Sequence, residues 1–492
     1  MSRRRAVTFA AVLALSGCSL VARVDVSPTG DAGDQGAYPI AMSADGRYVS
    51  FASSASNLVP GDTNGAQDIF RRDLQTGTTI RVSVKPDGSQ LSGASSGGSM
   101  DSSGAVVVFD TSDGLVPGDT NMSQDVYVRD IDAGTTTLAS VDTGGAALVG
   151  PPVSGFPSSA RSGGISSNGR LIALTLQTAN LSDRRVFVRD RVAQTTTEVD
   201  LAGNASRVVT AMSGDGKHLA LAGLQSCALC TPGPGSVIDL GSDQLAQRTF
   251  CGGTTVVALS DDGKRAALNP GGSGIGCTLV PGPSLWNRAL TADNIQPVTF
   301  GGGVVTTLRI VAMDSFGTQL ALADTSTSVH QITTMNTNAN FSFPPTTVSA
   351  DSWGRIGNAS SSAAAMSADG RKIVFSSRAS NLVGADPVMA FDHLYVRDVS
   401  IPHLTSVSPA SVARGTPGVT LNVIGSGLRG PVTTVVSGVG AIGIGNNAVF
   451  VDGSQAVGTG LTVPADATPG AHDVWVFQGS SSALCGGCFT VT

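Results

Sequence analysis

The amino-acid sequence predicts an all-β protein in two parts, a seven-bladed β-propeller followed by an immunoglobulin-like β-sandwich. Three observations predict it. One short grammar recurs seven times, opening each time on a glycine turn; the segments between turns are short and rich in Val, Ile and Thr; and the grammar stops after Asp398. Short strands separated by turn residues at regular spacing are the mark of repeated β-sheets.

The first unit opens with Ser43-Ala44-Asp45-Gly46-Arg47 and continues into Tyr48-Val49-Ser50-Phe51. It passes through Asn57-Leu58-Val59-Pro60-Gly61-Asp62-Thr63-Asn64, reaches Asp68-Ile69-Phe70-Arg71-Arg72-Asp73, and closes on Thr78 to Val84. The second unit repeats these landmarks at Gly104, Val106 to Phe109, Leu115 to Asn121, Asp125 to Asp130 and Thr135 to Val141. Later units open at Asn168-Gly169, Asp215-Gly216, Asp262-Gly263, Phe316-Gly317 and Asp369-Gly370, with glycines 47 to 65 residues apart. Asp or Asn in such a turn bonds its own backbone, and Gly accepts a positive φ. The apolar run that follows reads as a strand buried on both faces. The Thr-rich close has high β-propensity. A four-stranded sheet with two apolar faces needs a neighbour on each side, and a ring supplies one to every sheet.

These units resemble the WD40-like repeats of the TolB-type β-propeller family, whose pattern runs Ser-x-Asp-Gly-Lys/Arg, an apolar strand, then Val-Tyr-Val-x-Asp. The resemblance covers residues 21–400 and is strongest in units one, two and seven. The seventh unit runs out after Val399 without its Thr-rich strand. Val21-Ala22-Arg23-Val24-Asp25-Val26 parallels Ile80-Arg81-Val82-Ser83-Val84, so the N-terminal segment is expected to complete the last blade and remove two open sheet edges.

The N-terminus carries Arg3, Arg4 and Arg5, then an apolar stretch from Ala6 to Leu15, too short to span a bilayer. Leu15-Ser16-Gly17-Cys18 resembles the bacterial lipobox, which implies cleavage of a signal peptide over 1–17 and acylation of Cys18. Ser19 after the cysteine implies the outer membrane. The expected location is therefore the cell envelope, lipid-anchored, facing the periplasm or the surface; an ordinary secretory signal is the plainer alternative. Domains follow as 1–17, 18–400 and 401–492.

Six cysteines remain: Cys227, Cys230, Cys251, Cys277, Cys485 and Cys488. An even count in an oxidising compartment favours disulfides. Cys485 and Cys488 pair most simply with each other. Cys227–Cys230 and Cys251–Cys277 is one of three connectivities for the rest, and a four-thiolate zinc site is a sharper alternative.

Beyond Ile401-Pro402 the landmarks are Ser406 to Pro409, Val419-Thr420-Leu421-Asn422-Val423, Thr468-Pro469-Gly470 and Phe489-Thr490-Val491. Alternation through Val419, Leu421 and Val423 marks a half-buried strand. These landmarks resemble the IPT/TIG family of immunoglobulin-like domains, which implies a spacer or binding module.

Composition narrows function. Charged residues are 13% of the 492, Gly numbers 62, and the net charge is −6 without segregation into a basic patch, which argues against nucleic acid. Mean hydropathy is +0.17. Asp62, Asn64 and Asp68, and again Asp119, Asn121 and Asp125, place oxygens at loop positions that suit Ca²⁺; an Asx-turn network is the blander reading. No other cofactor is expected. The Arg-Asp pairs Arg72-Asp73, Arg129-Asp130, Arg189-Asp190 and Arg397-Asp398 recur at one position and are expected to join neighbouring blades. His218, His330, His393, His403 and His472 lie far apart, and Gly93 to Gly97 matches Gly-x-Ser-x-Gly only within a loop. The function expected is a non-enzymatic binding scaffold for an envelope protein or glycan, using the variable loops on one face of the ring. The alternative is an extracellular hydrolase or lyase acting on polysaccharide or peptide from the central channel.

Overall fold

The computed structural model describes residues 21–492 apart from 122, 150–157, 178–183, 202–206, 224–233, 241–246, 253, 271–281, 288–294, 301–302, 305–306, 325–327, 338–345, 352–354, 385–389, 400–402, 427–431, 437–439, 445–449, 453–454 and 479–480. The expected signal peptide, Cys18, Cys227, Cys230 and Cys277 lie outside the described residues.

Among the described residues the regular secondary structure is all β. Six units each supply an antiparallel sheet whose four strands lie side by side in chain order, and the last unit supplies three strands of a seventh. The first is built from Ala37–Met42, Tyr48–Ser53, Asp68–Asp73 and Thr78–Arg81. The second is built from Ser95–Met100, Val106–Thr111, Asp125–Asp130 and Thr135–Leu138. Further sheets begin with the strands Ser159–Ile165, Arg207–Met212, Thr255–Leu259 and Leu308–Met313. The last holds Ser361–Met366, Lys372–Ser377 and His393–Asp398, with Val21–Arg23 as its fourth strand. Ala22 pairs antiparallel with Val396, and Val24 N donates to Leu394 O at 2.8 Å. Val82 N donates to Ile69 O in the first unit at 2.7 Å, so the N-terminal segment occupies the place its sequence predicts.

The apolar runs explain the packing. Val107 and Phe109 pack with Ile69 and Val82 of the unit before, whereas Val106 and Val108 pack with Ile172 and Leu174 of the unit after. Each strand of this kind is buried on both faces, and each such side chain contributes about 1.5–3 kcal/mol by leaving water. Apolar clusters of this type join consecutive units all the way round. The series returns to its start where Val374, Leu394 and Val396 meet Val24, Phe51 and Phe70. Stacked rings mark one position in three units: Phe51 on Phe70, Phe109 on Tyr127 and Phe375 on Tyr395.

The turns make a second closed series, in backbone hydrogen bonds. Ala44 N donates to Ser102 O, Ser102 N to Ser167 O, and Ser167 N to Gly214 O. Asp215 N then donates to Asp261 O, Asp261 N to Ser315 O, Ser315 N to Ala368 O, and Ala368 N back to Ala44 O. These bonds span 2.8 to 3.1 Å. Inside a turn, Ser43 Oγ donates to Asp45 Oδ1 at 2.6 Å and accepts from Tyr48 N at 2.8 Å, while Gly46 N donates to Ser43 O. Gly104 shows why glycine is required: its φ is +79°, and a Cβ there would lie 2.6 Å from the Tyr48 ring of the preceding unit. A sheet ring with these two closed series is a β-propeller.

The Arg-Asp pairs join neighbouring sheets only in part, and most of their contacts lie within their own sheet. Arg72, Arg129 and Arg189 each donate to a threonine of their own sheet, Thr79, Thr136 and Thr196, at 3.0 to 3.2 Å. Asp73 and Asp190 pair with Arg47 and Arg170 of their own units. The between-sheet bond is made by the threonine, with Thr136 Oγ1 donating to Val84 O at 2.9 Å. Two members of the pairs do cross over directly: Arg397 donates to Ala350 O at 2.6 Å, and Asp130 accepts from Arg191 of the next unit at 3.3 Å. Most contacts stay within a sheet because third and fourth strands are hydrogen-bonded neighbours, so side chains opposite each other meet first.

Residues 403–492 form two further sheets around one core that includes Leu421, Val423, Val474, Val476 and Phe489. Leu421 and Val423 are buried and Thr420 exposed, as the alternation predicts. Cys485 and Cys488 are joined by a disulfide across 5.7 Å between Cα atoms. Cys251 lies on the strand Gln247–Gly252.

Candidate functional site: the loop face

Antiparallel order puts the first-to-second and third-to-fourth turns on one face of the ring. It puts the second-to-third and fourth-to-first loops on the other. The loop face is where the chain varies, and its described loops are held by a repeated device. Asp34 Oδ1 accepts from Ser56 N at 2.7 Å, Asp34 N donates to Asn57 Oδ1, and Asn57 Nδ2 donates to Ala32 O. In the seventh unit Asn358 and Asn381 make the same reciprocal contacts, with Ser380 N on Asn358 Oδ1 at 2.9 Å. In the second, Asp113 accepts from Ser92 N and Gly93 N. In these three units the between-sheet loop is thus pinned to the loop beside it by a short polar side chain that satisfies backbone donors. The recurrent Asn-Leu-Val was visible in the sequence; its pinning role was not, because its partners are some 23 residues away.

Between Ser27, Pro28 and Asp31 on one side and Ser56, Val59 and Pro60 on the other lies an open cleft of about 430 Å³.

The six candidate Ca²⁺ ligands fall into two different networks. In the first unit Arg81 stands between the acids: its guanidinium lies 3.0 Å from Asp62 and 3.4 Å from Asp68. Gln90 donates to Asp62, Asn64 to Asp68, and Ser83 to Asp68 at 2.6 Å. In the second unit Leu138 replaces Arg81. Asp119 there accepts from the Tyr127 hydroxyl, Asn121 Oδ1 caps Ser123 N, and Asp125 accepts from Ser140 at 2.5 Å. Burial raises the carboxyl of Asp125 to about 6. Among the described residues, no three His, Cys, Asp or Glu side chains are grouped to hold a metal ion.

Two buried polar groups that sequence reasoning passed over hold sheets together. Asp110, 2% exposed, accepts the backbone N–H of Ser162 in the next unit at 3.1 Å, and burial pushes its carboxyl up to about 7. At the same strand position Thr175 and Asn269 accept from Val209 N and Ile310 N of their neighbours. His393 and Asp25 join the last sheet to its N-terminal strand.

The fold and this face define a β-propeller with a pinned loop platform. No protein-family profile and no curated protein matches the sequence. Solved structures of similar fold include TolB from Acinetobacter baumannii, 13% identical, covering 63% of this chain and 63% of that one, with a TM-score of 0.36. An oligogalacturonate lyase from Vibrio parahaemolyticus is 10% identical over 77% of this chain and 97% of the other, with a TM-score of 0.47. The propeller domain of the Trilobed protease from Pyrococcus furiosus is 8% identical over 75% and 95%, with a TM-score of 0.44. These are distant likenesses of fold and carry nothing about chemistry.

Proposed function

We propose that the chain is a cell-envelope lipoprotein whose seven-bladed, TolB-like propeller binds an envelope protein or glycan on its loop face. The C-terminal unit serves as an immunoglobulin-like module of the IPT/TIG kind. The observation that carries this reading is the pinned loop face: loops held by reciprocal side-chain bonds form a rigid surface, and rigid surfaces lose little entropy on binding. Strand direction adds an orientation. Val21–Arg23 runs antiparallel to His393–Asp398, so its start lies at the turn face. Residues 18 to 21 reach at most about 11 Å, which holds the turn face toward an acylated Cys18 and leaves the loop face pointing away from the membrane.

The test is cross-linking of the native protein in intact envelopes, with two matched surface variants. Val149, 64% exposed, follows the fourth strand of unit two on the loop face; Val192, 73% exposed, lies in a turn on the opposite face. A discrete partner lost in Val149→Glu and kept in Val192→Glu supports the reading. Capture that is indifferent to both variants, or lost only in Val192→Glu, contradicts it.

A further inference from the structure

The innermost strands carry a charge bias that the rest of the chain lacks. The whole sequence has 36 acidic and 30 basic residues. The first strands of the seven sheets contain Arg161, Arg207 and Arg309 and no Asp, Glu or Lys. These strands touch one another in sequence round the ring, so they line its central channel.

Register brings selected side chains to one level. Tyr38 pairs with Ala52, Arg161 with Thr175 and Arg309 with Ala323, each the fifth residue of its neighbouring strand. Ser96, Thr255 and Ser362 hold the same position in their sheets. A bulge follows in every case, and the level lies at the end of the strand nearest the loop face. Tyr38, Arg161, Thr255, Arg309 and Ser362 are all exposed. The third and sixth units stand on opposite sides of a seven-membered ring, so the exposed Arg161 and Arg309 stand on opposite sides of the channel wall. Asp110, whose carboxyl feels the charge of Arg161, is turned into the sheet interface and accepts from Ser162 N instead of forming an ion pair. Arg207 is buried and donates to Ser236, adding positive charge behind the channel wall. A concave surface lined by one sign of charge focuses the field on an opposite charge.

We propose that the loop-face mouth of the channel is a receptor for an oxyanion, a carboxylate or phosphate group presented by an envelope ligand. Arg161 and Arg309 supply the charge and the forked donors such groups accept. The hydroxyls of Tyr38, Thr255 and Ser362 supply neutral donors around them. The site rests on the loop-face reading for the origin of its ligand but has a test of its own.

Purified full-length protein is titrated calorimetrically at low ionic strength with inorganic pyrophosphate and, separately, with citrate. Arg161→Gln and Arg309→Gln are each expected to weaken binding about tenfold, the loss of one charged contact. The double variant abolishes binding, and Arg414→Gln, on an exposed residue of the C-terminal unit, leaves it unchanged. Both arginines are exposed, so the variants retain the wild-type melting temperature. Preference between the two probes tells phosphate from carboxylate. Failure of both anions to bind wild-type protein, or unaltered binding by the double variant, overturns the site. That result leaves partner capture standing, whereas loss of partner capture with anion binding intact overturns the loop-face reading alone.

Discussion

Asp25 Oδ2 lies 2.6 Å from Nδ1 of His393, and both residues are buried, at 0% and 1% exposure. Asp25 Oδ1 also accepts the backbone N–H of Leu394 at 2.8 Å. The pair occupies a place that other units fill differently. Asp68 meets Ser83 there, and Asp125 meets Ser140. Where the ring closes between the two ends of the repeat array, the neutral serine is replaced by a carboxylate and the acid by a histidine. Burial raises the Asp25 carboxyl, and His393 opposes that rise. The pairing makes the N-terminal strand specific to the last sheet, because an Asp in the serine position of another unit would face a second carboxylate.

Removal of one partner leaves the other buried and unsatisfied. Asp25→Ala is therefore expected to destabilise the propeller by about 3 kcal/mol in equilibrium urea unfolding. The double variant Asp25→Ser with His393→Asp rebuilds the pair of units one and two and is expected to recover most of the loss. Equal instability in single and double variants would show that the pairing is incidental.

Asp110 gives a pH dependence whose sign follows from its raised carboxyl. A group that holds its proton to about 7 in the fold, against 3.8 ordinarily, favours the folded state when protonated. That contribution is complete below the ordinary value and disappears as pH rises through 7. Asp110→Asn keeps an acceptor for Ser162 N and removes the titration. Wild-type stability, relative to the variant, is expected to fall by about 1.4 kcal/mol per pH unit between roughly pH 5 and 6.5. Parallel stability profiles would refute the assignment.

Two glycines separate backbone strain from crowding. Gly134 has φ +68° and open space around it, whereas Gly104 has φ +79° and the Tyr48 ring in the way. Gly134→Ala is expected to cost about 1 kcal/mol, the conformational term alone. Gly104→Ala should cost clearly more, since the ring must shift or the two sheets part. Urea midpoints of the two variants measure the difference.

Much of this was legible in the sequence. The Ser-x-Asp-Gly turns announced the units because glycine is forced twice over there, by φ and by the neighbouring unit. The likeness of Arg23-Val24-Asp25 to Arg81-Val82-Ser83 announced ring closure, since a repeat displaced to the other end of a chain keeps its pattern. The polar contacts were less legible. Thr136, Asp110 and Asn57 act on backbone atoms of other strands, and backbone partners leave no trace in composition. The channel level containing Arg161 and Arg309 emerges only from register, because loops of different length separate equivalent positions along the chain.

Ring closure by the N-terminal strand is the claim on which the rest depends. Ala22 and Val396 are Cα partners across that closure. Ala22→Cys with Val396→Cys, oxidised and digested, should yield a disulfide-linked peptide pair by mass spectrometry, with a higher urea midpoint for the cross-linked protein. Absence of the linked pair in folded protein, or a cross-link that lowers the midpoint, would contradict the closure and with it the ring.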